Sequence, residues 1–277
     1  MEYLSRNGEV EITGISDFDP VKMFECGQCF RWDADDHGVY TGVALGRAAK
    51  LRREGDSIFL TASTEDFNAV WRSYFDLDRD YAEIRRRLGI DDFMRKATDF
   101  GAGIRILRQD CWEALCSFII SQCNNIPRIK KIVAALCSEF GDRFGFDGGE
   151  FYTFPSAERL AGLDEEDLAP IRCGYRAAYI IAAARAVADG TLDLDALSQR
   201  SSDNARAALK TINGVGNKVA DCAVLFGLHM LDAFPRDVWM NRAVAKHYGS
   251  GFDPAVFAPY AGIAQQYMFY YMRSGEA

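Results

Sequence analysis

Residues 212–237 read INGVGNKVADCAVLFGLHMLDAFPRD, and Gly214 and Gly216 near the start of this segment define a tight turn. Glycine adopts positive φ at little cost, so the helical pattern that precedes these residues is expected to stop here. A second helix is predicted to begin near Asn217 or Lys218, because apolar residues recur from there to the next glycine.

The turn therefore predicts a helix–hairpin–helix. The first helix would be capped by Asp203 or Asn204 and end at about Lys210. Successive backbone N–H groups at the start of the second helix suit a phosphate, so a sequence-independent grip on a DNA backbone is one interpretation. An ordinary corner between two helices explains the Gly-Val-Gly turn about as well.

Lys218 lies in the first turn of the second helix, where the positive end of the helix dipole disfavours an ammonium. More neutral amine is then available, and this is the form that Schiff-base chemistry needs. Cys222 lies four residues further on the same face, and a thiolate there could pair with the lysine. A solvated lysine and a core cysteine are the structural alternative.

Asp237 follows Pro235 and is expected to cap the next helix. It stands 19 positions after Lys218, which allows one helix out and one turn back. Both side chains could then face one cleft, although capping alone explains the aspartate as well as catalysis does.

The composition is that of an ordinary globular protein of 277 residues, 49% of them hydrophobic and 26% charged. This length suffices for one large domain or two smaller ones with a real core. No apolar run is long enough to span a bilayer, and the N-terminus lacks a basic segment followed by an apolar one. We therefore expect an intracellular protein that is neither secreted nor bound to a membrane.

Eight cysteines are scattered through apolar segments and are expected to be reduced thiols. Cys26 and Cys29 form the one closely spaced pair, and without a second pair or a partner histidine no zinc site is expected. No cysteine follows Cys222, so no four-cysteine iron–sulfur cluster is expected in a C-terminal loop.

Residues 1–62 alternate or are rich in β-branched and aromatic residues, which predicts a small, curved antiparallel sheet. Gly27 falls in this region, where it indicates a strand bulge or the close approach of another group. Helices are expected from Ser63 or Thr64 onward, so the fold class is α+β. The predicted domains are an antiparallel β-domain with its following helices over residues 1–100 and a helical core over 101–277. The predicted strands cover residues 10–14, 29–35, 39–45 and 57–63.

The central helix of the second region is expected over residues 111–122, and a polar loop follows it. Asn124 or Asn125 can cap the next helix. Arg128 could reach base edges from this loop and Lys130 or Lys131 could reach phosphate, although a polar joint between helices is the simpler explanation.

Three later segments complete the pattern. Residues 143–153 are expected to form a glycine-rich loop. Tyr175 and Arg176 begin a helix and would form an exposed pair able to wedge into DNA and read it. Gln265 and Phe269 lie four apart on the last helix and could line a pocket for a planar base. Packing in the core explains either pair equally well.

Several of these motifs, in this order, resemble the 8-oxoguanine DNA glycosylases of the helix–hairpin–helix–Gly/Pro-Asp superfamily. The resemblance covers nearly the whole chain. It implies an antiparallel β-domain followed by two helical subdomains, with the hairpin facing the cleft between them. The motifs are GQCFRW, YFDLD, LRQD, NNIPRI, GYRAAY, GVGNKVADC, FPRDVWMNR and AQQYMFYY.

The resemblance implies a catalytic role for two residues. Lys218 would attack the sugar C1′ of a nucleotide extruded from the duplex, because C1′ is unreachable within the stack. The base would leave, a Schiff base would form, and β-elimination would cut the strand on the 3′ side. Asp237 would orient the lysine and stabilise cationic character on the sugar.

The resemblance also implies a base pocket. The carbonyl of Gly27 would accept the N7–H that distinguishes 8-oxoguanine from guanine, whose N7 is an acceptor. Phe269 and Cys222 would sandwich the purine, and Gln265 would bond its Watson–Crick edge.

Further residues would contact DNA. Tyr175 would wedge into the stack, and Arg128 and Arg176 would contact the orphaned cytosine. Cys123 stands where the family commonly has asparagine, and its weak donor predicts poorer discrimination of the opposite base or slower flipping. Trp239 stands where some relatives have histidine, and its indole can still bond a phosphate. The remaining matches are Asn124, Gly214 and Gly216 as DNA contacts and the backbone carbonyls of Lys210, Ile212 and Val215 as ligands of a structural cation.

The implied partner is double-stranded DNA containing 8-oxoguanine, bound by a monomer that needs no cofactor for its chemistry. The net charge of −8 opposes DNA binding at first sight, but the deciding feature is whether one face is basic. Binding to undamaged DNA is expected to be weak and salt-sensitive. The expected location is the cytoplasm or nucleoid of a prokaryote, or the nucleus of a eukaryote.

Three other functions are consistent with parts of the sequence. A monofunctional remover of alkylated purines would use the aspartate to activate water, but it would not need Lys218. A DNA-binding module would need the hairpin but neither Asp237 nor the Gln265/Phe269 pair. A metabolic lysine Schiff-base enzyme such as an aldolase would need an alternating βα pattern, which this chain lacks.

Overall fold

The N-terminal part of the chain forms one antiparallel sheet. The computed structural model describes residues 1–275, and within them six strands pair in the order β1-β2-β6-β5-β4-β3. Every neighbouring pair in this sheet is antiparallel, as the sequence predicts. The strands are β1 Glu2–Arg6, β2 Glu9–Thr13, β3 Trp32–Ala34, β4 Tyr40–Ala44, β5 Arg47–Glu54 and β6 Ser57–Thr61.

One face of this sheet carries a row of large buried side chains. Val10 pairs with Leu60, Leu60 with Leu51, and Leu51 with Tyr40, and all four are buried. Because alternate residues of a strand point to opposite faces, a slip of one residue would expose the whole row. The row therefore fixes the register of the sheet.

Trp32 is the centre of the core beneath the sheet. Its indole stacks on Phe24 with ring centroids 4.4 Å apart, and its N–H donates to the Tyr74 hydroxyl at 2.9 Å. The paired residue on β4 is Gly42, where a Cβ would lie 2.1 Å from the indole. This position therefore requires glycine because of the close approach of the ring.

The rest of the described chain is helical, apart from one short hairpin. No helix in residues 1–275 is long and apolar enough to cross a membrane. Two π-helical turns, Phe67–Trp71 and Ala223–Gly227, and two 3-10 turns, Glu165–Ile171 and Pro254–Phe257, join or extend the helices. The α-helices are α1 Pro20–Glu25, α2 Thr64–Asp66, α3 Arg72–Tyr74, α4 Tyr81–Leu88, α5 Asp92–Phe100, α6 Cys111–Ile120, α7 Ile126–Phe140, α8 Ala157–Ala161, α9 Arg176–Ala188, α10 Leu194–Leu197, α11 Ser202–Leu209, α12 Asn217–Cys222, α13 Val238–His247 and α14 Ala261–Ser274.

Helix α6 is the centre of a second and larger core. Asp110 caps it by accepting a hydrogen bond from the Glu113 N–H at 2.8 Å. Most of its residues from Trp112 to Ile120 are buried, as expected for a helix that is apolar on nearly every face. Helices α7, α9 and α12 all pack against it.

The prediction of a strand around Gly27 was wrong. Asp19 accepts a hydrogen bond from the Lys22 N–H, and Pro20 begins α1, because an aspartate followed by proline is a helix-start signal. Cys26 ends the helix, and Gly27 follows with a φ of 84°. Gly27 is therefore in a helix-terminating turn rather than in a strand bulge.

The glycine-rich loop predicted over residues 143–153 is a β-hairpin. Strands β7 Arg143–Phe146 and β8 Gly149–Tyr152 are antiparallel. The turn residues Asp147 and Gly148 both have positive φ, as an Asp-Gly hairpin turn requires. Strands β1 and β5 were also not predicted.

The predicted cap of the helix before the Gly-x-Gly turn was wrong by two or three residues. The Ser201 hydroxyl, rather than Asp203 or Asn204, caps α11 by accepting from the Asn204 N–H. The predicted starts of α9 and α12 are confirmed. The predicted domain division between residues 100 and 101 stays a prediction.

A buried ionic cluster around Asp76 ties the sheet region to the segment that follows the Ala223–Gly227 turn. One carboxylate oxygen accepts from Arg79 at 2.6 Å and from Tyr81 at 3.0 Å, and the other accepts from Arg108 at 3.0 Å. His229 Nε2 lies 3.4 Å from the same carboxylate. Burial raises the pKa of Asp76, but its close contacts with His229 and Arg79 hold it below its usual value.

This cluster predicts a loss of stability in mild acid. Burial lowers the pKa of His229, so the unfolded chain binds a proton at that side chain more readily than the folded chain does. The free energy of unfolding should therefore fall as pH drops below about 6.5, the ordinary histidine value. We expect His229→Asn to flatten this decline between pH 7 and 5 in denaturant titrations.

The matched control is His37→Asn, since His37 is exposed in the turn before β4. It should leave the slope of stability against pH unchanged. A wild-type slope that persists in His229→Asn would show that the acid sensitivity arises elsewhere.

Candidate active site

The amine of Lys218 lies where the start of α12 meets the end of α6. Its Nζ is 2.7 Å from the Ser121 hydroxyl and 5.0 Å from the centre of the Phe118 ring. The side chain is half-buried. The first turn of α12 thus directs the lysine into the protein, which rules out the alternative of a fully solvated side chain.

Asp237 caps α13, and its carboxylate accepts a hydrogen bond from the Met240 N–H at 2.9 Å. The predicted capping role is confirmed. The Asp237 charge raises the pKa of the Cys222 thiol, and the Lys218 charge lowers it.

Cys222 itself is a neutral thiol, which corrects the predicted thiolate–ammonium pair. Burial raises its pKa to about 11, and the nearby Lys218 charge opposes this only in part. The side chain is 3% exposed. It is therefore a packing surface beside the lysine rather than its counter-ion.

The turn at Gly27 meets the last helix. A Cβ on Gly27 would lie 3.2 Å from Ile126 and 3.8 Å from the Phe269 ring. The Gln266 side chain donates to the Cys26 carbonyl at 3.1 Å, which fixes the turn against α14. The structure thus brings Gly27 and Phe269 together, as the predicted base pocket requires.

Gln265 is one turn from Phe269 on the same helix and is 5% exposed. Its Oε1 atom is buried and has no hydrogen-bond partner within residues 1–275. An unpaired buried acceptor costs roughly 1–3 kcal/mol. A polar ligand in the pocket would remove that cost.

In the loop between α6 and α7, some side chains hydrogen-bond within the protein and others are exposed without such bonds. Asn125, not Asn124, caps α7 by accepting from the Arg128 N–H at 3.0 Å. Asn124 instead donates to the Ile120 carbonyl at 3.2 Å. Cys123 is exposed with a φ of 49°. The Arg128 side chain is exposed and makes no hydrogen bond or ion pair within the described chain.

The predicted exposed pair of Tyr175 and Arg176 is half wrong. Tyr175 is 54% exposed, whereas Arg176 is 5% exposed. The Arg176 guanidinium donates to the carbonyls of Gln122 at 3.0 Å, Cys173 at 3.1 Å and Cys123 at 3.3 Å. The guanidinium can be buried because three carbonyls satisfy it, one just before α9 and two in the segment that follows α6. To reach a base, Arg176 would first have to release them.

The hairpin is fixed to its surroundings at Gly214. This residue has a φ of 84°, and a Cβ there would lie 2.1 Å from the Tyr179 ring. The Gln122 side chain donates to its carbonyl at 3.1 Å. Gly216, by contrast, is exposed and has no atom within 4 Å of an added Cβ. Packing therefore requires glycine at the first position only.

An ion pair joins the two hairpin helices. Arg206 on α11 and Asp221 on α12 approach to 2.5 Å, and the aspartate side chain is 9% exposed. Burial raises the pKa of Asp221, and Arg206 opposes that effect. The pair holds α12, and with it Lys218, in a fixed position relative to α11.

Two further predictions concern surface contacts. Lys130 does not project freely, because its ammonium contacts Glu25 at 3.0 Å and the Trp32 carbonyl at 2.8 Å. It therefore anchors α7 to the sheet region. Trp239 is 36% exposed at the start of α13, with the Arg242 guanidinium 5.2 Å from its ring centre, and remains available for a contact.

Sequence reasoning missed Ser121, Gln122 and Asp221. Ser121 and Gln122 are the first polar residues after the apolar run of α6. Their position at the end of a buried apolar helix is a signal in the sequence that could have marked them as candidate site residues. The ion pair of Asp221 could not be inferred, since it depends on how α11 and α12 cross.

Two family models match consecutive parts of the chain. Residues 12–115 match the N-terminal domain of 8-oxoguanine DNA glycosylase. Residues 116–255 match the HhH-GPD superfamily of base excision DNA repair proteins. The first match covers strands β3 to β6 and the end of β2, and the second covers the hairpin with Lys218 and Asp237.

Known proteins are similar over most of the chain. The N-glycosylase/DNA lyase of Saccharomyces cerevisiae is 34% identical over 252 residues, which is 82% of this chain and 67% of that protein. MBOgg1, solved with a low-affinity DNA ligand, is 43% identical with a TM-score of 0.94 over 100% of both chains. The 8-oxoguanine glycosylase/lyase of Clostridium acetobutylicum, solved with double-stranded DNA containing cytosine opposite to 8-oxoG, is 34% identical. Its TM-score is 0.94 over 100% of this chain and 99% of that chain.

The fold and the matched superfamily define a helix–hairpin–helix protein of base excision DNA repair. The chain belongs to the 8-oxoguanine DNA glycosylase family, and it is a bifunctional DNA glycosylase and abasic-site lyase. The resemblance inferred from the motifs and the predicted α+β fold are confirmed.

The two hairpin glycines should respond differently to alanine. Gly214→Ala adds a Cβ at positive φ against Tyr179, so we expect a loss of about 1–3 kcal/mol in the free energy of unfolding. Gly216→Ala should change it by less than about 0.5 kcal/mol. Denaturant titration of both variants checks this, and equal losses would contradict the packing described for Gly214.

Proposed function

We propose that this chain removes 8-oxoguanine lying opposite cytosine in duplex DNA, with Lys218 as the nucleophile. The amine attacks C1′ of the extruded nucleotide, and the bond from C1′ to the base breaks. The C1′–O4′ bond then opens, O4′ takes the proton that the amine loses, and a Schiff base links the lysine to the ring-opened sugar. Loss of a proton from C2′ then expels the 3′ phosphate by β-elimination. The chain thereby leaves a cut on the 3′ side of the abasic site.

The observation that carries this proposal is the position of the Lys218 amine. It is directed into the protein beside Ser121 and Phe118, and its charge lowers the pKa of Cys222, four residues further along the same helix. A carboxylate near the lysine would stabilise the positive charge that develops on the sugar as the base leaves. Water-activating enzymes of this superfamily would not need an amine at that place.

The residues that the family resemblance assigns to a base pocket carry groups that recognition of 8-oxoguanine would use. The Gly27 carbonyl has no donor within residues 1–275, and a Cβ on Gly27 would lie 3.8 Å from the Phe269 ring. In 8-oxoguanine N7 carries a hydrogen and would donate to that carbonyl, whereas N7 of guanine would face it with a lone pair. Gln265 supplies the unpaired acceptor for the Watson–Crick edge, and Cys222 supplies the opposite wall.

The duplex would be held on both sides of the extruded nucleotide. The N–H groups of the turn at Gly214 and Gly216 would bind a phosphate, and Trp239 would contact another. Tyr175 would enter the stack, while Arg128 and a released Arg176 would bond the cytosine. Cys123 and Asn124 would line the gap left by the flipped base.

The proposal extends to a cation at the hairpin, a monomeric state and the expected cellular location. The carbonyls of Lys210, Ile212 and Val215 are hard oxygen donors of the kind such a cation prefers. The Ile212 carbonyl accepts from the Val215 N–H at 3.1 Å but keeps a second lone pair, so the three carbonyls fit this role. A bound cation would neutralise a nearby phosphate, and the excision chemistry itself would need no cofactor.

Lys218→Gln should abolish base excision and strand cutting while leaving recognition of the lesion. The reason is that glutamine cannot form a Schiff base, although it keeps most of the side chain's length. Single-turnover cleavage of a duplex with one 8-oxoguanine opposite cytosine should fall at least about 10³-fold. Binding of the same duplex, measured by fluorescence anisotropy, should change by less than about threefold.

Lys246→Gln removes the same charge from an exposed position near the end of α13 and is the matched control. It should keep near wild-type excision. Normal excision by Lys218→Gln would refute the assigned nucleophile.

Cys123→Asn should sharpen the preference for cytosine opposite the lesion. An amide both donates and accepts hydrogen bonds, whereas a thiol does so weakly. We expect the ratio of excision rates opposite cytosine and opposite adenine to rise by about three- to tenfold. Cys123→Ser keeps the size of the side chain but replaces the thiol with a stronger hydrogen-bonding hydroxyl, so it tests hydrogen bonding without a change in volume. An unchanged ratio in both variants would exclude the loop residue from selection of the opposite base.

A further inference from the structure

Ser121 is the residue through which α6 contacts the lysine. It is the C-cap of α6, and its hydroxyl donates to the Phe118 carbonyl at 2.8 Å. A hydroxyl has one proton and two lone pairs. Since that proton is used on Phe118, Ser121 can only accept from Lys218 across the 2.7 Å contact. The lysine is therefore the donor in this contact.

Two other features at the same point favour a charged amine. The C-terminal end of a ten-residue helix carries partial negative charge, and Lys218 meets α6 at that end. The Phe118 ring centre lies 5.0 Å from Nζ, within the range of a cation–π contact. The negative end of α6 thus opposes the positive start of α12. The larger share of neutral amine was predicted from the start of α12 alone.

The ionisable groups around the lysine do not replace this contact. Cys222 is a neutral thiol because burial raises its pKa to about 11. Asp221 is paired with Arg206 on α11. Asp237 bonds the Met240 N–H and makes no hydrogen bond or ion pair with Lys218 within the described residues. Ser121 is thus the one side chain that hydrogen-bonds the amine in residues 1–275.

Ser121 is also held firmly in place from the other side. The carbonyls of Gln122 and Cys123 accept hydrogen bonds from Arg176, and the Gln122 side chain donates to the Gly214 carbonyl. The segment of residues 121–123 therefore contacts the lysine, the hairpin and Arg176 at once. A change at Arg176 on DNA binding would be transmitted to Ser121 through two peptide units.

We infer that Ser121 is a positioning residue that holds Lys218 as an ammonium at the end of α6 in the DNA-free enzyme. Attack on C1′ needs the amine lone pair, so the lysine must leave Ser121 and lose a proton before it reacts. The inference rests on the proposed role of Lys218 in catalysis. The hydroxyl keeps the nucleophile in a fixed, protonated position until the nucleotide is bound.

The direct test is a pH titration of the lysine Nζ signals by NMR in protein labelled with ¹⁵N-lysine, without DNA. Lys218→Gln identifies the signal. In Ser121→Ala the midpoint of this signal should move to lower pH, raising the neutral fraction at pH 7 by about three- to tenfold, because a charge-assisted acceptor is lost. Ser121→Thr keeps the hydroxyl and should restore the wild-type midpoint.

Ser138→Ala is the matched control. Ser138 on α7 also donates to the carbonyl three residues before it, at 3.1 Å, but has no lysine beside it. It should leave the midpoint unchanged. An unchanged midpoint in Ser121→Ala, or an equal shift in Ser138→Ala, would overturn the inference and leave the hydroxyl with a capping role only.

Kinetics separate this inference from the proposed function. In single-turnover excision, Ser121→Ala should shift the acid limb to lower pH, because the amine then loses its proton more readily, with the rate plateau and duplex binding each unchanged within about threefold. Failure of the wild type to excise would contradict the proposed function, while the NMR titration would still decide the role of Ser121. Wild-type excision with identical pH profiles for both proteins would contradict the inference alone.

Discussion

The contact between the end of α6 and the start of α12 determines where the reactive amine lies. Helix α6 is buried along most of its length, so its C-terminal residue cannot shift without disturbing the larger core. Helix α12 is fixed from the other direction by the Arg206–Asp221 ion pair and by the packing of Gly214 on Tyr179. The position of Lys218 is therefore set by two independent constraints, the buried helix α6 and the fixed helix α12. The 2.7 Å contact between Lys218 and Ser121 lies where these two helices meet.

Hydrogen bonding separates the groups that are ready for a ligand from those that are not. The Gln265 Oε1 atom and the Arg128 side chain have no partner within residues 1–275, so binding could satisfy them without first breaking a protein contact. Arg176 and Lys130 are fully engaged with backbone carbonyls or carboxylates. Of these two, only Arg176 adjoins the loop of residues 121–125, so its release is the step that would couple duplex binding to the lysine.

The sequence predicted the elements whose signals are local, and it failed where tertiary contacts decide. Turn glycines, the Asp237 cap and the apolar run of α6 depend on residues close in the chain, and the structure agrees with them. The region around Gly27 failed because the Asp-Pro start of α1 was overlooked among strand-like residues. The burial of Arg176, the thiol state of Cys222 and the partner of Lys130 could not be predicted, because each depends on residues distant in sequence. The predicted roles of Gly27, Gln265 and Phe269 rest on helical spacing and on the family resemblance, and the structure adds that Gly27 adjoins Phe269.

The most direct measurement is borohydride reduction of the protein mixed with a duplex carrying one 8-oxoguanine opposite cytosine, followed by peptide mapping of the adduct by mass spectrometry. An imine between the amine and C1′ is reduced to a stable bond, so the attachment site is read from the modified peptide. The account predicts a covalent adduct on Lys218 with the lesion duplex and none with an unmodified duplex. Base release without any adduct, or an adduct on another residue, would contradict it.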